Sequence, residues 1–155
     1  MKWLILFLPL IANAGYSTIP EFNDFCKREN ADICSLPKQS NHVKTIEELI
    51  KVNDDVNGEI VAARDDIDGD YWNYPRTDEA YPYGDCEDFA LEKARRLAKL
   101  GWTSNDMRLG VSDVHAVLLV ILHGNEYILD NNVYDWHLQL NKVQINGTIL
   151  FKGAM

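Results

Sequence analysis

Two segments of the chain carry apolar residues at the spacing of an α-helix. In the first, Thr45 and Glu48 match a capping box, in which each side chain accepts the backbone N–H of the other residue. The apolar positions that follow keep roughly helical intervals, and they are Ile46, Leu49, Ile50, Val56 and Ile60. We therefore predict a helix from about residue 46 to residue 62.

The second predicted helix starts near Cys86 and ends at Leu100, where Gly101 provides the C-terminal stop. Its inward face is a stripe of apolar residues, namely Phe89, Ala90, Ala94, Leu97 and Leu100. Cys86 precedes Phe89 by three positions and therefore points along the same face. The later turns hold basic residues that suit the negative end of the helix dipole, namely Lys93, Arg95, Arg96 and Lys99.

After the second helix the pattern changes to short apolar runs of the length of β-strands. These runs predict strands near residues 107–111, 114–122 and 126–131, with weaker strands near 134–140 and 143–151. Helices followed by strands indicate an α+β fold with an antiparallel sheet.

The first residues of the chain predict export. Lys2 precedes a short apolar stretch from Trp3 to Ile11, and Ala12-Asn13-Ala14 fits the small-x-small cleavage rule. A retained membrane anchor is the alternative, but the stretch is far shorter than the roughly 20 residues of a spanning helix. We expect a signal peptide over residues 1–14, a single domain over 15–155, and a periplasmic or secreted protein.

The charge balance limits the partners. The chain has 15 Lys and Arg residues against 24 Asp and Glu residues, and loss of Lys2 makes the mature balance 14 − 24 = −10. This acidity argues against nucleic acid or anionic lipid as a partner. It is compatible with cation binding, although a solvated acidic surface is the commoner explanation.

The three cysteines divide into a pair and a single residue. Cys26 and Cys34 lie eight positions apart in a predicted irregular or short-helical arm over residues 20–37. In an exported protein they can form a disulfide, and two buried free thiols are the alternative. Either way, Cys86 stands apart as the odd cysteine of the chain.

Cys86, His115 and Asp130 are the candidate catalytic residues. Cys86 stands at a helix start, His115 heads an apolar strand and Asp130 closes the next strand, which is the layout of a papain-like thiol nucleophile. A helix N-terminus stabilises a thiolate, a histidine can take the thiol proton, and a third group holds the histidine ring. Taken singly, each residue also has an ordinary structural explanation.

Whether His115 and Asp130 meet depends on the register of the hairpin between their strands. With His123-Gly124 as a two-residue loop, Asp130 lies on the same face as His115 and diagonal to it, within reach of two side chains. With Gly124-Asn125 as the loop, Asp130 faces Leu119 and lies too far along the strand. The sequence leaves both registers open.

Three carboxylates next to Cys86 oppose its ionisation, because like charges raise the pKa of a thiol. Asp85 at the N-cap and Asp88 at the third helical position have structural explanations, whereas Glu87 has none. A hard cation held by the oxygens of Asp85 and Glu87 would neutralise the excess charge, and Ca²⁺ suits an exported protein. Surface carboxylates without a cation are the alternative.

The residues resemble the bacterial transglutaminase-like cysteine proteinases. The likeness rests on four stretches in the family's order: Phe22-Asn23-Asp24-Phe25-Cys26-Lys27-Arg28 with Cys34; Val52-Asn53 with Val56-Asn57; Gly84-Asp85-Cys86-Glu87-Asp88-Phe89-Ala90; and His115-Ala116-Val117-Leu118 with Leu129-Asp130-Asn131. The resemblance implies a papain/transglutaminase-like fold, with the nucleophile on a helix N-terminus packed against the antiparallel sheet.

The resemblance also implies roles and partners. Cys86 would be the nucleophile, His115 the general base and then acid, and Asp130 the group that orients His115. In adhesin-releasing members the carboxylates flanking the cysteine bind Ca²⁺, which here are Asp85 and Glu87. Those members cleave surface adhesins in the periplasm and are regulated by an inner-membrane receptor of cyclic-di-GMP signalling. We therefore expect an exported calcium-dependent cysteine endopeptidase acting on a protein substrate. Acyl transfer of the transglutaminase or deamidase type, and a non-catalytic binding module, are the alternatives.

Overall fold

The computed structural model describes residues 19–64, 71–77, 80–112 and 115–131, together with the backbone of residues 139–140 and 153–154. The predicted signal peptide and most of the two weaker predicted strands lie outside these residues. Within them, no helix combines the length and apolar character that crossing a membrane requires.

The N-terminal arm is more regular than the sequence suggested. Helix α1 spans Pro20–Glu29 and is followed by a 3₁₀ turn over Asp32–Ser35. Proline is tolerated in the first helical turn because that N–H needs no partner there. A disulfide joins Cys26 to Cys34 and ties the helix to the turn.

Helix α2 spans Ile46–Glu59, and both hydrogen bonds of its predicted capping box are present. The helix ends three residues before the predicted end at residue 62, because Ile60 takes an extended conformation and strand β1 (Val61–Ala62) begins. β1 pairs in parallel with strand β2 (Tyr83–Gly84), which leads directly into Cys86. This non-local pairing of two-residue strands has no signal in the local hydrophobic pattern.

Helix α3 spans Cys86–Leu100, with both ends where the sequence predicts them. Gly101 has a φ of 99°, the left-handed conformation that glycine supplies at a helix C-terminus. The predicted inward stripe is buried from Phe89 to Leu97, whereas Leu100 is exposed.

A five-stranded antiparallel sheet follows α3, and its spatial order is β6-β5-β4-β3-β7. The strands are β3 (Met107–Ser112), β4 (His115–Leu122), β5 (Asn125–Leu129), β6 (Gln139–Leu140) and β7 (Gly153–Ala154). α3 packs against β4, and α2 packs against α3. Leu91 and Leu97 of the helix share the core with Leu109 and Leu118 of the sheet. The α+β fold with a helix packed on an antiparallel sheet is thereby confirmed.

The hairpin between β4 and β5 adopts the first of the two registers that the sequence left open. Leu122 pairs with Asn125, so His123-Gly124 forms the two-residue loop. His123 and Gly124 have φ values of 49° and 80°, as the central residues of a type I′ turn require. This register brings the end of β5 back beside the start of β4.

Candidate active site

Cys86 is the first residue of α3 and its thiol lies between the helix and β4. The backbone N–H of Ala116 donates to Cys86 Sγ over 3.3 Å. Cys86 Sγ in turn donates to Glu87 Oε2 over 3.3 Å. The side chain is half-buried, and Ala116 directly follows His115, so the thiol sits at the start of the strand that carries the histidine.

The surroundings of Cys86 hold its thiol in the protonated form. Its pKa is raised to about 12, chiefly by burial. The carboxylates of Glu87 and Asp85 raise this pKa as well, and only the N–H of Ala116 lowers it. The thiol as it stands is therefore a weak nucleophile at neutral pH.

His115 and Asp130 form a direct hydrogen bond across the hairpin. The distance from His115 Nε2 to Asp130 Oδ1 is 2.7 Å. Burial raises the pKa of Asp130, but the hydrogen bond and charge of His115 outweigh it and hold this pKa below its ordinary value. With Nε2 donating to an ionised carboxylate, Nδ1 is the ring nitrogen left to exchange a proton with a thiol.

The three predicted catalytic residues thus converge on one end of the sheet, but they are not all bonded to one another. Among the described residues, the hydrogen bonds of Cys86 Sγ go to Glu87 and Ala116, and none joins it to His115. The side chain of His115 is 39% exposed, whereas the side chain of Asp130 is 16% exposed. The His115 ring is therefore fixed on one side by its hydrogen bond to Asp130, and another part of the ring is exposed to solvent.

The carboxylates beside Cys86 are placed differently from the sequence prediction. Asp85 is the N-cap residue of α3, but its side chain makes no capping hydrogen bond. Asp88 is 2% exposed, and its Oδ1 accepts the backbone N–H of Asn73 over 2.9 Å. A Cβ at Gly84 would lie 2.5 Å from Asp88 Oδ2, so the glycine before the site makes room for this buried carboxylate.

The two residues predicted to hold a cation, Asp85 and Glu87, supply carboxylate oxygens that suit a hard metal ion. Glu87 is 3% exposed, and both Asp85 Oδ1 and Glu87 Oε1 are shielded from solvent. Buried carboxylate oxygens of neighbouring residues are ligands that Ca²⁺ accepts. No group of three or more His, Cys, Asp or Glu side chains with metal-binding geometry occurs in the described part of the chain.

Two residues near the site, Lys93 and Asn57, have no role there in the sequence prediction. Lys93 is completely buried rather than part of an exposed basic helix end, and its Nζ donates to Asp130 O over 2.9 Å. Asn57 Nδ2 donates to the same carbonyl over 2.8 Å. The helical spacing could have indicated the burial of Lys93, because Lys93 follows Phe89 by four positions and so continues the inward stripe.

Comparison with known protein families identifies the family of this chain. Residues 14–141 match the family described as bacterial transglutaminase-like cysteine proteinases. A comparison with curated proteins found no match. The family match covers more than half of the chain and includes Cys86, His115 and Asp130. The chain therefore belongs to the bacterial transglutaminase-like cysteine proteinases, a family of cysteine peptidases.

Proposed function

We propose that this protein is an exported, calcium-dependent cysteine endopeptidase with Cys86, His115 and Asp130 as its catalytic triad. The observation that carries the proposal is the 2.7 Å hydrogen bond between His115 Nε2 and Asp130 Oδ1, on the strand that also donates to Cys86 Sγ. A histidine oriented by a carboxylate beside a cysteine at a helix N-terminus can activate a thiol.

In the proposed reaction, His115 Nδ1 takes the proton of Cys86 as the sulfur attacks the carbonyl carbon of a peptide bond. The Cys86 N–H, which precedes the first intrahelical hydrogen bond of α3, helps to hold the oxyanion. The protonated His115 then gives its proton to the departing amine, leaving a thioester. A water molecule, deprotonated by His115, hydrolyses that thioester and restores the thiol.

Bound Ca²⁺ would counteract the raised pKa of the Cys86 thiol. Bound by Asp85 and Glu87, Ca²⁺ would neutralise two carboxylates that raise the pKa of Cys86. Asp130 stays ionised because His115 lowers its pKa, and it orients the imidazole. The site would then contain a histidine ready to accept a proton and a thiol able to give one.

For the biological setting, we propose cleavage before residue 15, a periplasmic or secreted location, and a surface or exported protein such as an adhesin as substrate. An inner-membrane regulatory receptor is proposed as a second protein partner, by analogy with the adhesin-releasing members of the family. The acidic net charge of −9 argues against nucleic acid as a partner.

The test is a comparison of protein N-termini in the secreted and surface fractions of cells that produce the native protein or Cys86→Ala. We expect new N-termini that require Cys86, in one or a few exported proteins. Isopeptide cross-links or converted glutamines in place of new termini would instead identify acyl transfer. Identical profiles of termini, cross-links and glutamines would contradict an enzymatic role and favour a binding module.

A further inference from the structure

α3 places a lysine ammonium group inside the protein, beneath the end of β5. Lys93 is 0% exposed, and its Nζ donates to Leu129 O over 3.3 Å and to Asp130 O over 2.9 Å. From α2, Asn57 Nδ2 donates to Asp130 O over 2.8 Å. Two helices thus direct polar hydrogens at two consecutive carbonyls.

This arrangement is costly, which indicates that it has a use. Burial lowers the pKa of Lys93 to about 7, while the charges of Asp130 and Asp54 raise it. Among the described residues, no ion pair within 4.0 Å balances the charge of Lys93 Nζ. Its hydrogen bonds go to the two carbonyls. An apolar side chain of similar length would fill the same space without the desolvation cost of an ammonium group.

The backbone that Lys93 contacts is the last residue of β5, Leu129, and the residue that follows it, Asp130. The ladder between β4 and β5 ends with the pair Leu118 and Leu129, so Asp130 lies one residue beyond it. Asp130 reaches His115 diagonally across the two strands, over a backbone separation of about 7–8 Å. Small movements of this backbone would therefore break the 2.7 Å hydrogen bond to the imidazole.

We infer that Lys93, assisted by Asn57, is a positioning residue that fixes the Asp130 backbone so that the Asp130 carboxylate meets His115 Nε2. The inference rests on the proposed function, because it assigns a role within the proposed triad. Lys93 acts through Asp130 and does not touch the reacting atoms.

The test is a double-mutant cycle read out by alkylation of Cys86 with iodoacetamide at pH 7 in calcium-containing buffer. Cys86 is the free cysteine, so the reaction reports one thiol. The variants are Lys93→Met, Asp130→Asn and their combination, with Lys99→Met on the exposed face of α3 as the matched control. The second readout is the NMR resonance of the His115 Nε2–H proton, which exchanges slowly when it is hydrogen-bonded.

We expect Asp130→Asn to slow alkylation by about tenfold or more, Lys93→Met to slow it severalfold, and the double variant to match Asp130→Asn alone. The protected His115 proton should be lost in Lys93→Met and kept in Lys99→Met. If Lys93→Met does not fold, Asn57→Ala takes its place in the cycle with the same expectations.

A native alkylation rate in Lys93→Met, or an effect that multiplies with that of Asp130→Asn, would overturn the positioning role and leave the triad intact. A native rate in Asp130→Asn would be a different failure, because it would remove the triad and the positioning role together.

Discussion

The two halves of the candidate site differ in how far the fold prepares them for catalysis. The His115–Asp130 half is complete, with a 2.7 Å hydrogen bond and a carboxylate whose pKa is lowered. The Cys86 half is unprepared, because burial and two carboxylates raise the pKa of its thiol to about 12. In the first half the His115 imidazole is placed to accept a proton, whereas in the second half the Cys86 thiol retains its own.

The difference follows from the elements that build each half. A type I′ hairpin brings the imidazole of His115 to the carboxylate of Asp130, and Lys93 and Asn57 donate hydrogen bonds to the Asp130 carbonyl. The start of α3 instead gathers Asp85 and Glu87 around the sulfur. In the proposed function, Ca²⁺ bound by Asp85 and Glu87 would neutralise those charges, so we propose the acidic half as the point of control.

The largest expected effect is loss of the base on the prepared half. Without an imidazole to take the thiol proton, His115→Ala should lower peptide hydrolysis by about 10³-fold. His123→Asn is the matched control, because His123 sits at the hairpin tip with a φ of 49°, a conformation that asparagine tolerates. The measurement is the rate at which each variant hydrolyses the substrate found by the N-terminus comparison. A comparable loss of rate in both variants would point to general damage of the hairpin.

The next effect concerns metal removal on the acidic half. Chelation with EGTA should lower peptide hydrolysis by about tenfold or more, because two carboxylates then oppose thiolate formation. Calcium titration calorimetry should show weakened binding in Asp85→Asn and native binding in Glu47→Gln, whose carboxylate is exposed on α2. Native calcium affinity in Asp85→Asn would remove that residue from the proposed metal site.

Glu87 provides a sharper test, because its substitution should act in opposite directions in two buffers. In EGTA, Glu87→Gln removes a charge that raises the pKa of Cys86, so alkylation by iodoacetamide should become severalfold faster. In calcium, the same variant loses a proposed ligand and should be slower than the native protein. A change of the same sign in both buffers would show that Glu87 acts on Cys86 without a cation.

A smaller effect is expected on stability from the packing that supports the acidic half. Gly84→Ala would place a Cβ 2.5 Å from Asp88 Oδ2 and should lower the free energy of unfolding by about 1–3 kcal/mol. Gly58→Ala is the matched control, since no atom lies within 4 Å of its new Cβ and the residue lies in α2. That control should raise stability by about 0.5–1 kcal/mol in urea unfolding. Equal effects of the two substitutions would contradict the packing argument.

The smallest expected effect is the pH dependence that Asp130 gives the prepared half. Its folded-state pKa is lowered below 3.8, so its stabilising contribution is present above that pH and is lost as pH falls through the folded pKa. Asp130→Asn should therefore show a shallower fall of the unfolding free energy in acid than the native protein. Parallel stability curves for the two proteins below pH 4 would contradict a lowered pKa.

Much of the site could be predicted because its signals are local. The polar residues before Cys86 mark the start of α3, and His123-Gly124 suits a type I′ turn, which is one of the two registers that the sequence allowed. The capping box at Thr45 likewise acts within a single turn. Such features depend on neighbours in the chain and can be recognised without the rest of the fold.

What the sequence did not reveal depends on distant contacts. The sequence predicts Lys93 as part of a basic helix end, yet Lys93 is buried and donates to the carbonyls of Leu129 and Asp130. The parallel pairing of Val61 with Tyr83 joins two strands that lie far apart in the chain. Asp85 has the sequence of an N-cap but makes no capping bond, and its charge raises the pKa of Cys86.

The most direct test of the two-part site is the pH dependence of Cys86 alkylation in the native protein, measured once with calcium and once with EGTA. In EGTA, the thiol should titrate above its ordinary pKa of 9.0, because burial, Glu87 and Asp85 all raise it. In calcium, we expect the midpoint to move far down in pH, as the carboxylates are neutralised and His115 takes the proton. Superimposable curves in the two buffers would contradict a cation-dependent thiol at the centre of this site.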